Sequence, residues 1–148
     1  MEERKDIFTE KVIELNRVSR TVKGGKRIGF RALVIVGDKS GRAGIGIGKA
    51  NDVSVSIQKA TSQAKRNLKN IKINKDGTIS KEVLSSFHSS KVLLRPAPEG
   101  TSIIAGGVVR AVAELAGIRN LVAKSLGSSN KINTARATLE GLLEAGYD

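Results

Sequence analysis

The sequence predicts an α+β protein with two modules, a three-stranded antiparallel sheet carrying one helix and then a two-layer α/β unit. Three observations lead to this prediction. Apolar residues alternate with a period of two over residues 28–36, and they recur with a helical period over residues 53–68. The charge also divides: 18 Lys and Arg stand against 7 acids up to Lys75, a balance of +11, and 8 against 7 beyond it, a balance of +1.

Glycine-rich turns separate three extended segments in the first module. Residues 12–22 alternate imperfectly, residues 28–36 alternate cleanly, and Ile45 and Ile47 continue a third segment. Gly24 and Gly25 lie between the first two segments and permit positive φ, so we expect a hairpin there. The three segments therefore predict an antiparallel meander.

A stripe of apolar residues at spacings of four, three, four and four predicts the helix of the first module. The stripe consists of Val53, Ile57, Ala60, Ala64 and Leu68. Asn51 or Asp52 precedes it and is expected to cap the helix. The stripe can cover one face of the meander.

The second module combines short apolar strands with two helices. The strands are predicted near residues 83–84, 92–94 and 121–123. Pro96 and Pro98 enforce an extended loop at which pairing stops. A helix then follows Gly107 and ends at Gly117 in the C-cap position, and a last helix opens at residues 127–130.

A cluster of turn residues at positions 74–78 marks the predicted boundary between the modules. We assign residues 1–75 to the first domain and residues 76–148 to the C-terminal α/β domain. The chain has no cysteine, which excludes disulfides, iron–sulfur clusters and thiolate metal sites and indicates a reducing, cytoplasmic environment. A single histidine leaves little for metal binding or acid–base catalysis. We therefore predict no metal, no cofactor and no enzymatic activity.

The longest uncharged apolar runs, residues 32–37 and 103–109, are far shorter than the ~20 residues that a membrane helix needs. The first six residues lack the apolar run of a signal peptide. We therefore expect a soluble chain with no membrane partner.

Positive charge concentrates around the first hairpin. The cations are Arg17, Arg20, Lys23, Lys26 and Arg27, with Arg42 and Lys49 on the third strand and at its exit. They would repel one another without an anionic partner, and the phosphates of a nucleic acid supply one. Gly24 and Gly25 at the tip would also let backbone amides approach a phosphate. A solvated basic face that only keeps the protein soluble is the alternative.

Aromatic residues make up only 3% of the chain, too few for a platform on which single-stranded bases could stack. Folded RNA, recognised through its phosphates and shape, is therefore the expected nucleic acid.

Two glycine-containing segments suggest nucleotide binding. Residues 41–49 do not match a P-loop, because Ala43 and Ala50 stand where Gly and Ser or Thr are required. Their alternating glycines indicate instead a strand that a helix or RNA can approach closely. Residues 127–130 could hold a phosphate at the start of the last helix, or a polar side chain among them could cap that helix. The first possibility makes a phosphotransferase the enzyme alternative.

Short motifs run in order along nearly the whole chain. They are residues 16–25 (NRVSRTVKGG), 44–50 (GIGIGKA), 57–60 (IQKA), 96–101 (PAPEGT), 103–107 (IIAGG) and 126–130 (LGSSN), with Ala137 and Thr138. In this order they resemble the bacterial small-subunit ribosomal protein five family. The resemblance implies an N-terminal module like a double-stranded-RNA-binding domain and a left-handed β-α-β crossover in the C-terminal module.

The resemblance also implies partners and a location. It implies binding to small-subunit ribosomal RNA near the messenger entry path, contacts with ribosomal proteins four and eight, and an influence on decoding accuracy in the cytoplasmic small subunit. Residues 19–25 match a loop near the RNA helix that spectinomycin targets. Protein four would face Glu99, Gly100, Thr101 and Ser102, with Arg110. Ser102 stands where the family more usually has glycine.

Overall fold

The computed structural model describes residues 8–127 and 130–145, with the backbone alone at residues 20, 22 and 26. Its strands form two four-stranded sheets, and helices pack on both, so the predicted α+β class is confirmed. The elements are β1 (Thr9–Val22), β2 (Gly25–Gly37), β3 (Arg42–Ala50), α1 (Val53–Arg66), β4 (Lys69–Asn70), β5 (Val83–Phe87), β6 (Ser90–Pro96), β7 (Ile103–Ile104), α2 (Gly107–Ala116), β8 (Leu121–Gly127) and α3 (Lys131–Ala145).

The first sheet has the order β1-β2-β3-β4 and is antiparallel throughout. Its three long strands are the predicted meander, and the two-residue β4 extends it at the edge of β3. β3 stays paired with β2 only as far as Ala50 opposite Phe30, whereas β1 and β2 stay paired to Val22 and Gly25. The hairpin therefore continues past the sheet as a two-stranded segment, residues 17–29, which we call the basic ribbon.

The second half of β2 is buried on both faces. Ala32, Val34 and Val36 pack with Ala60 and Ala64 of α1. Leu33 and Ile35 alternate with them and join a second cluster that includes residues of α2. A strand covered on both sides holds the base of the ribbon in a fixed position.

Helix α1 lies unusually close to β3, because three of the strand's residues have no side chain. Gly44, Gly46 and Gly48 all face the helix, and a Cβ on any of them would clash with a backbone carbonyl of Ala64, Ala60 or Ser56. This contact also places Oε1 of Gln63 where it accepts a hydrogen bond of 2.7 Å from the backbone N–H of Ile47. The glycine pattern of residues 44–48 thus serves packing of the helix.

The second sheet has the order β5-β6-β8-β7. β5, β6 and β8 are antiparallel neighbours, whereas β7 and β8 run parallel and are connected through α2. Helices α2 and α3 pack on one face of this sheet, over Val92, Leu94 and Leu121, none of which is exposed. β8 is longer than the predicted three residues and continues to Gly127.

The helix ends follow local rules, with one exception. Gly117 adopts φ 101° after α2, the left-handed C-cap that was predicted. Asn130 caps α3 by accepting a hydrogen bond of 3.0 Å from the backbone N–H of Asn133 at its Oδ1. At α1, Asp52 occupies the N-cap position, but its carboxylate makes no capping hydrogen bond. It accepts one from the hydroxyl of Ser54 instead, at 3.3 Å.

One hydrophobic core runs through both modules. The cluster that contains Leu33 and Ile35 also contains Val112 of α2 and Leu94 of the second sheet. Residues on either side of the proposed boundary, Ile71 and Ile79, are buried in it. The division after residue 75 therefore stays a prediction from composition and does not mark a gap in the core.

We predict that Gly46→Ala destabilises the protein by about 2 kcal/mol or more, because the new methyl group would overlap backbone atoms of α1 that cannot move independently. The matched control is Gly107→Ala, in the first turn of α2, where a Cβ meets nothing within 4 Å. That variant should be neutral or stabilised by up to about 1 kcal/mol. Urea unfolding of both chains measures the difference, and equal stabilities would contradict the close approach of α1 to β3 as the reason for glycine.

Candidate nucleic-acid interface

The tip of the basic ribbon is a tight turn built on two glycines. Val22 pairs with Gly25, so Lys23 and Gly24 form the connection. Gly24 has φ 95° and Gly25 has φ 147°, conformations that other residues rarely adopt. A Cβ on either glycine would meet nothing within 4 Å. Glycine is therefore required by the backbone conformation and not by packing, and the tip stays open to an approaching ligand.

Strand pairing places like charges opposite each other on the ribbon. Position 20 pairs directly with position 27, so two arginines are cross-strand neighbours. Neighbours of the same charge destabilise a strand pair unless an anion lies between them. Arg17 pairs with Phe30 and lies on the opposite face of the ribbon from Arg27. The ribbon therefore presents cations on both faces.

The ribbon cations whose side chains the structure describes are open to solvent. Arg17, Lys23 and Arg27 are exposed, as are Gly24 and Gly25. The side chains of Arg20 and Lys26 lie outside the described residues.

A shallow groove of about 470 Å³ lies where the ribbon leaves the sheet. Its cations are Arg27, Arg31 and Lys49, and the exposed aliphatic residues Val18 and Ile28 contribute to its walls. Arg31 pairs directly with Lys49 across β2 and β3. A second pair of like charges therefore faces the groove, which makes it a suitable place for an anion.

Arg31 was not among the cations predicted from the sequence. It lies within the run of residues 28–36 whose even-numbered positions predict the strand. A signal was present, because Arg27 and Arg31 are four residues apart and a strand places such residues on the same face.

Lys49 is exposed at the end of β3, shortly before the N-cap of α1. Its backbone carbonyl accepts a hydrogen bond from Nζ of Lys59 at 3.3 Å, which brings a further cation to this end of the sheet. Asp52 at the N-cap adds one negative charge nearby. Lys49 thus belongs to the groove together with Arg31.

The structure separates Arg42 from the other predicted cations. It opens β3 at the end remote from the ribbon, where it pairs with Asn70 of β4. Its Nε donates to Oδ2 of Asp38 at 2.9 Å, and its guanidinium lies 5.0 Å from the ring centroid of Phe8. The charge of Arg42 is therefore compensated within the protein, and this residue does not share in the crowding of cations on the ribbon.

Asp38 organises the turn between β2 and β3. Burial of its side chain disfavours ionisation, but hydrogen bonds from the backbone of Ser40 and from the side chain and backbone of Arg42 outweigh it, and the pKa of Asp38 lies below its ordinary value. Its Oδ1 accepts from the N–H groups of Ser40 (2.8 Å) and Arg42 (3.0 Å). The carboxylate thus fixes both the conformation of the turn and the position of the Arg42 side chain.

The side chain of Asn120 stabilises the predicted protein-contact loop, residues 99–102, through hydrogen bonds to its backbone. Oδ1 of Asn120 accepts hydrogen bonds from the backbone N–H groups of Gly100 (3.2 Å) and Ser102 (2.9 Å), and its Nδ2 donates to the carbonyl of Asp76 (2.8 Å). Asn120 is only 3% exposed, and it was not predicted from the sequence. Ser102 has φ 72°, which explains why glycine suits this position.

Two charged residues of the predicted protein contact are already paired. Oε2 of Glu99 lies 3.7 Å from Nη2 of Arg119. Nε of Arg110 donates a hydrogen bond of 3.0 Å to Oε2 of Glu114, which lies one turn further along α2. These pairs are largely exposed, so each contributes little to stability and remains available to a partner.

The described residues offer little for the enzyme alternative. Across residues 8–127 and 130–145, no group of three or more His, Cys, Asp or Glu side chains could hold a metal ion. Ser128 and Ser129 of the possible phosphate loop lie outside the described residues, and Asn130 caps α3. No described helix has the length and apolar character needed to span a membrane.

Comparison with known proteins finds two family models that together match most of the chain. The model described as ribosomal protein S5, N-terminal domain, matches residues 8–72, and that described as ribosomal protein S5, C-terminal domain, matches residues 85–145. Curated relatives named small ribosomal subunit protein uS5 include one from Thermotoga petrophila, 55% identical over 91% of this chain and 75% of the relative. Others come from Acidithiobacillus ferrooxidans (53% identical, 91% and 77% covered) and Ruegeria pomeroyi (50%, 91% and 71%).

We predict that Asp38→Asn lowers the free energy of unfolding by about 1 kcal/mol at pH 7, because the amide keeps an acceptor for the two backbone N–H groups but lacks the charge that attracts Arg42. The folded-state pKa of Asp38 lies below its ordinary value of 3.8, so the stabilisation is fully present above that value. It disappears as the pH falls through the folded-state pKa. Urea unfolding from pH 7 to strongly acidic pH should therefore show the gap to the unmodified chain closing. A gap between the two chains that does not change with pH would contradict this account of Asp38.

Proposed function

The chain belongs to the ribosomal protein S5 family, and from that premise we propose that the basic ribbon anchors it to small-subunit ribosomal RNA. It is a protein of the small ribosomal subunit and not an enzyme, and it works in the cytoplasmic ribosome. The proposal concerns which surface binds RNA. The observation that carries it is the pairing of arginines at positions 20 and 27, and of Arg31 with Lys49, across adjacent strands.

Electrostatics supports the ribbon as the RNA anchor. The chain carries a formal charge of +12, of which +11 belongs to residues 1–75. The ribbon projects its cations beyond the sheet, where a folded RNA can reach both faces. Each phosphate neutralised by a lysine or arginine releases condensed counterions, so binding should weaken steeply with salt. We propose the predicted RNA-binding set with two changes: Arg31 is added, and Arg42 is left out because Asp38 already pairs its charge. The set is then Arg17, Arg20, Lys23, Gly24, Gly25, Lys26, Arg27, Arg31 and Lys49.

We assign the protein contacts to the second module, whose charge is nearly balanced. The loop of Glu99, Gly100, Thr101 and Ser102, with Arg110, contacts ribosomal protein four, and protein eight is a second neighbour. The loop is held in one shape by Asn120 and is largely exposed, as a preformed docking loop should be. In this proposal the chain lies near the messenger entry path, where its RNA and protein contacts together influence decoding accuracy.

The RNA assignment is tested by replacing Arg20, Lys23 and Lys26 with Ala. Affinity for small-subunit ribosomal RNA should fall, and the slope of log K against log salt should become shallower by about one unit for each phosphate that is no longer neutralised. The matched control replaces three exposed cations of the second module, Lys81, Lys124 and Lys131. Filter binding over a salt series measures both chains. An unchanged slope in the ribbon variant, or an equal change in the control, would refute the assignment.

The protein assignment is tested by Thr101→Arg, which places a bulky cation in the middle of the docking loop. Binding to purified ribosomal protein four should weaken at least tenfold, while the RNA salt slope stays unchanged. Thr9→Arg, at an exposed site at the start of β1, is the control. Equal binding of both variants to protein four would show that the loop is not the contact.

A further inference from the structure

The second sheet has one covered face and one uncovered face. Helices α2 and α3 cover the side on which Val83, Val92 and Leu94 are buried. The alternate residues point away from the helices. Among them Leu84 is 57% exposed, Ile104 56% and Leu126 40%, so the described part of the chain leaves this side uncovered.

Strand register brings these side chains into one patch. Leu84 of β5 pairs with Leu93 of β6, and Ile104 of β7 pairs with Val122 of β8. Neighbouring strands lie about 4.8 Å apart, so paired side chains on the same face are in contact range. Together with Leu126 they place exposed or half-buried aliphatic side chains on all four strands of this side of the sheet, which we call the open face.

Cations are interspersed with the aliphatic residues of the open face. Lys91 pairs with Leu126, Lys124 pairs with Leu93, and Arg95 pairs with Val122. Nε of Arg95 lies 3.5 Å from Oε2 of Glu82, and this carboxylate offsets the charge of Arg95. Lys91 and Lys124 are both exposed to solvent. On the open face aliphatic and cationic side chains therefore alternate across the two central strands, and the face carries a net positive charge.

We propose that the open face docks a neighbouring protein of the small subunit through an aliphatic surface that carries carboxylates opposite Lys91 and Lys124. The inference rests on the proposed function, because it requires the chain to work inside the particle. The aliphatic residues left in water favour association with another apolar surface, and the two lysines select a partner of opposite charge. The open face is separate from the Thr101 loop, although Ile104 brings its edge close to that loop in the chain.

The composition of the open face argues against RNA and against a second copy of the chain. Aliphatic side chains neither pair with phosphates nor stack strongly on bases. The one aromatic residue of β5, Phe87, lies on the helix side, where Arg136 sits 5.7 Å from its ring centroid. A second copy would present the same two lysines, Lys91 and Lys124, so like charges would oppose its docking.

The test uses the full chain in small subunits reconstituted from ribosomal RNA and purified small-subunit proteins. The variant Leu84→Ser with Ile104→Ser should be incorporated at least tenfold less well than the unmodified chain, and Lys91→Glu with Lys124→Glu should be impaired as well. Val55→Ser is the matched control, because Val55 is an exposed aliphatic residue (38%) on α1, away from this sheet. Normal incorporation of both open-face variants would overturn the inference.

A photoreactive amino acid at position 84 then identifies the occupant. In the assembled particle it should crosslink to a ribosomal protein, in a peptide containing Asp or Glu. A crosslink to RNA, to a second copy of the chain, or to nothing would overturn the proposal. Affinity for free ribosomal RNA separates the two proposals: the ribbon variant should lose it and the open-face variants should keep it. A loss in the open-face variants would sink this inference alone, and an unchanged affinity in the ribbon variant would sink the RNA assignment alone.

Discussion

The burial of β2 on both faces is the constraint on which the rest of the structure depends. Over residues 32–36 the strand is sandwiched between α1 and the core that contains α2. Burying that much aliphatic surface stabilises the base of the hairpin. Within the part of the chain that the structure describes, no third strand and no helix pack on the ribbon beyond this base, so the base sets the direction of the ribbon. Packing in the interior therefore decides where the cations are presented.

The residues that stabilise the molecule are separate from those that we propose to contact a partner. Asp38 holds the turn between β2 and β3 through hydrogen bonds from Ser40 and Arg42. No acid lies within residues 17–29, and positions 20 and 27, both arginine, are cross-strand neighbours. Such an arrangement costs stability in the free chain and regains it when an anion binds. On the open face the unfavourable feature of the free chain is the exposure of aliphatic side chains to water, and a docked partner would remove it in the same way.

Several features could not be predicted from the sequence, each for a physical reason. β4 has two residues, too few to show any period. Asp52 occupies the predicted cap position, but the sequence does not determine which rotamer its side chain adopts. Its carboxylate accepts a hydrogen bond from the hydroxyl of Ser54 and makes none to the helix N–H groups. Asn120 is isolated in the sequence, and its three hydrogen-bond partners come from residues 18 to 44 positions away. Arg42 is near the ribbon cations in the sequence, but the length of β2 carries it to the opposite end of the sheet.

The sequence by itself determined most of the elements, because the periods of two and 3.6 residues, the glycine turns and the charge division are local properties of the chain. It also determined that the tip of the hairpin is basic and glycine-built. Only the tertiary structure decided which cations share a surface, since that depends on register between strands and not on spacing along one of them. Tertiary structure likewise decided that the glycines of β3 receive α1, and that one face of the second sheet stays uncovered. These outcomes follow from how the elements pack together, which no local pattern encodes.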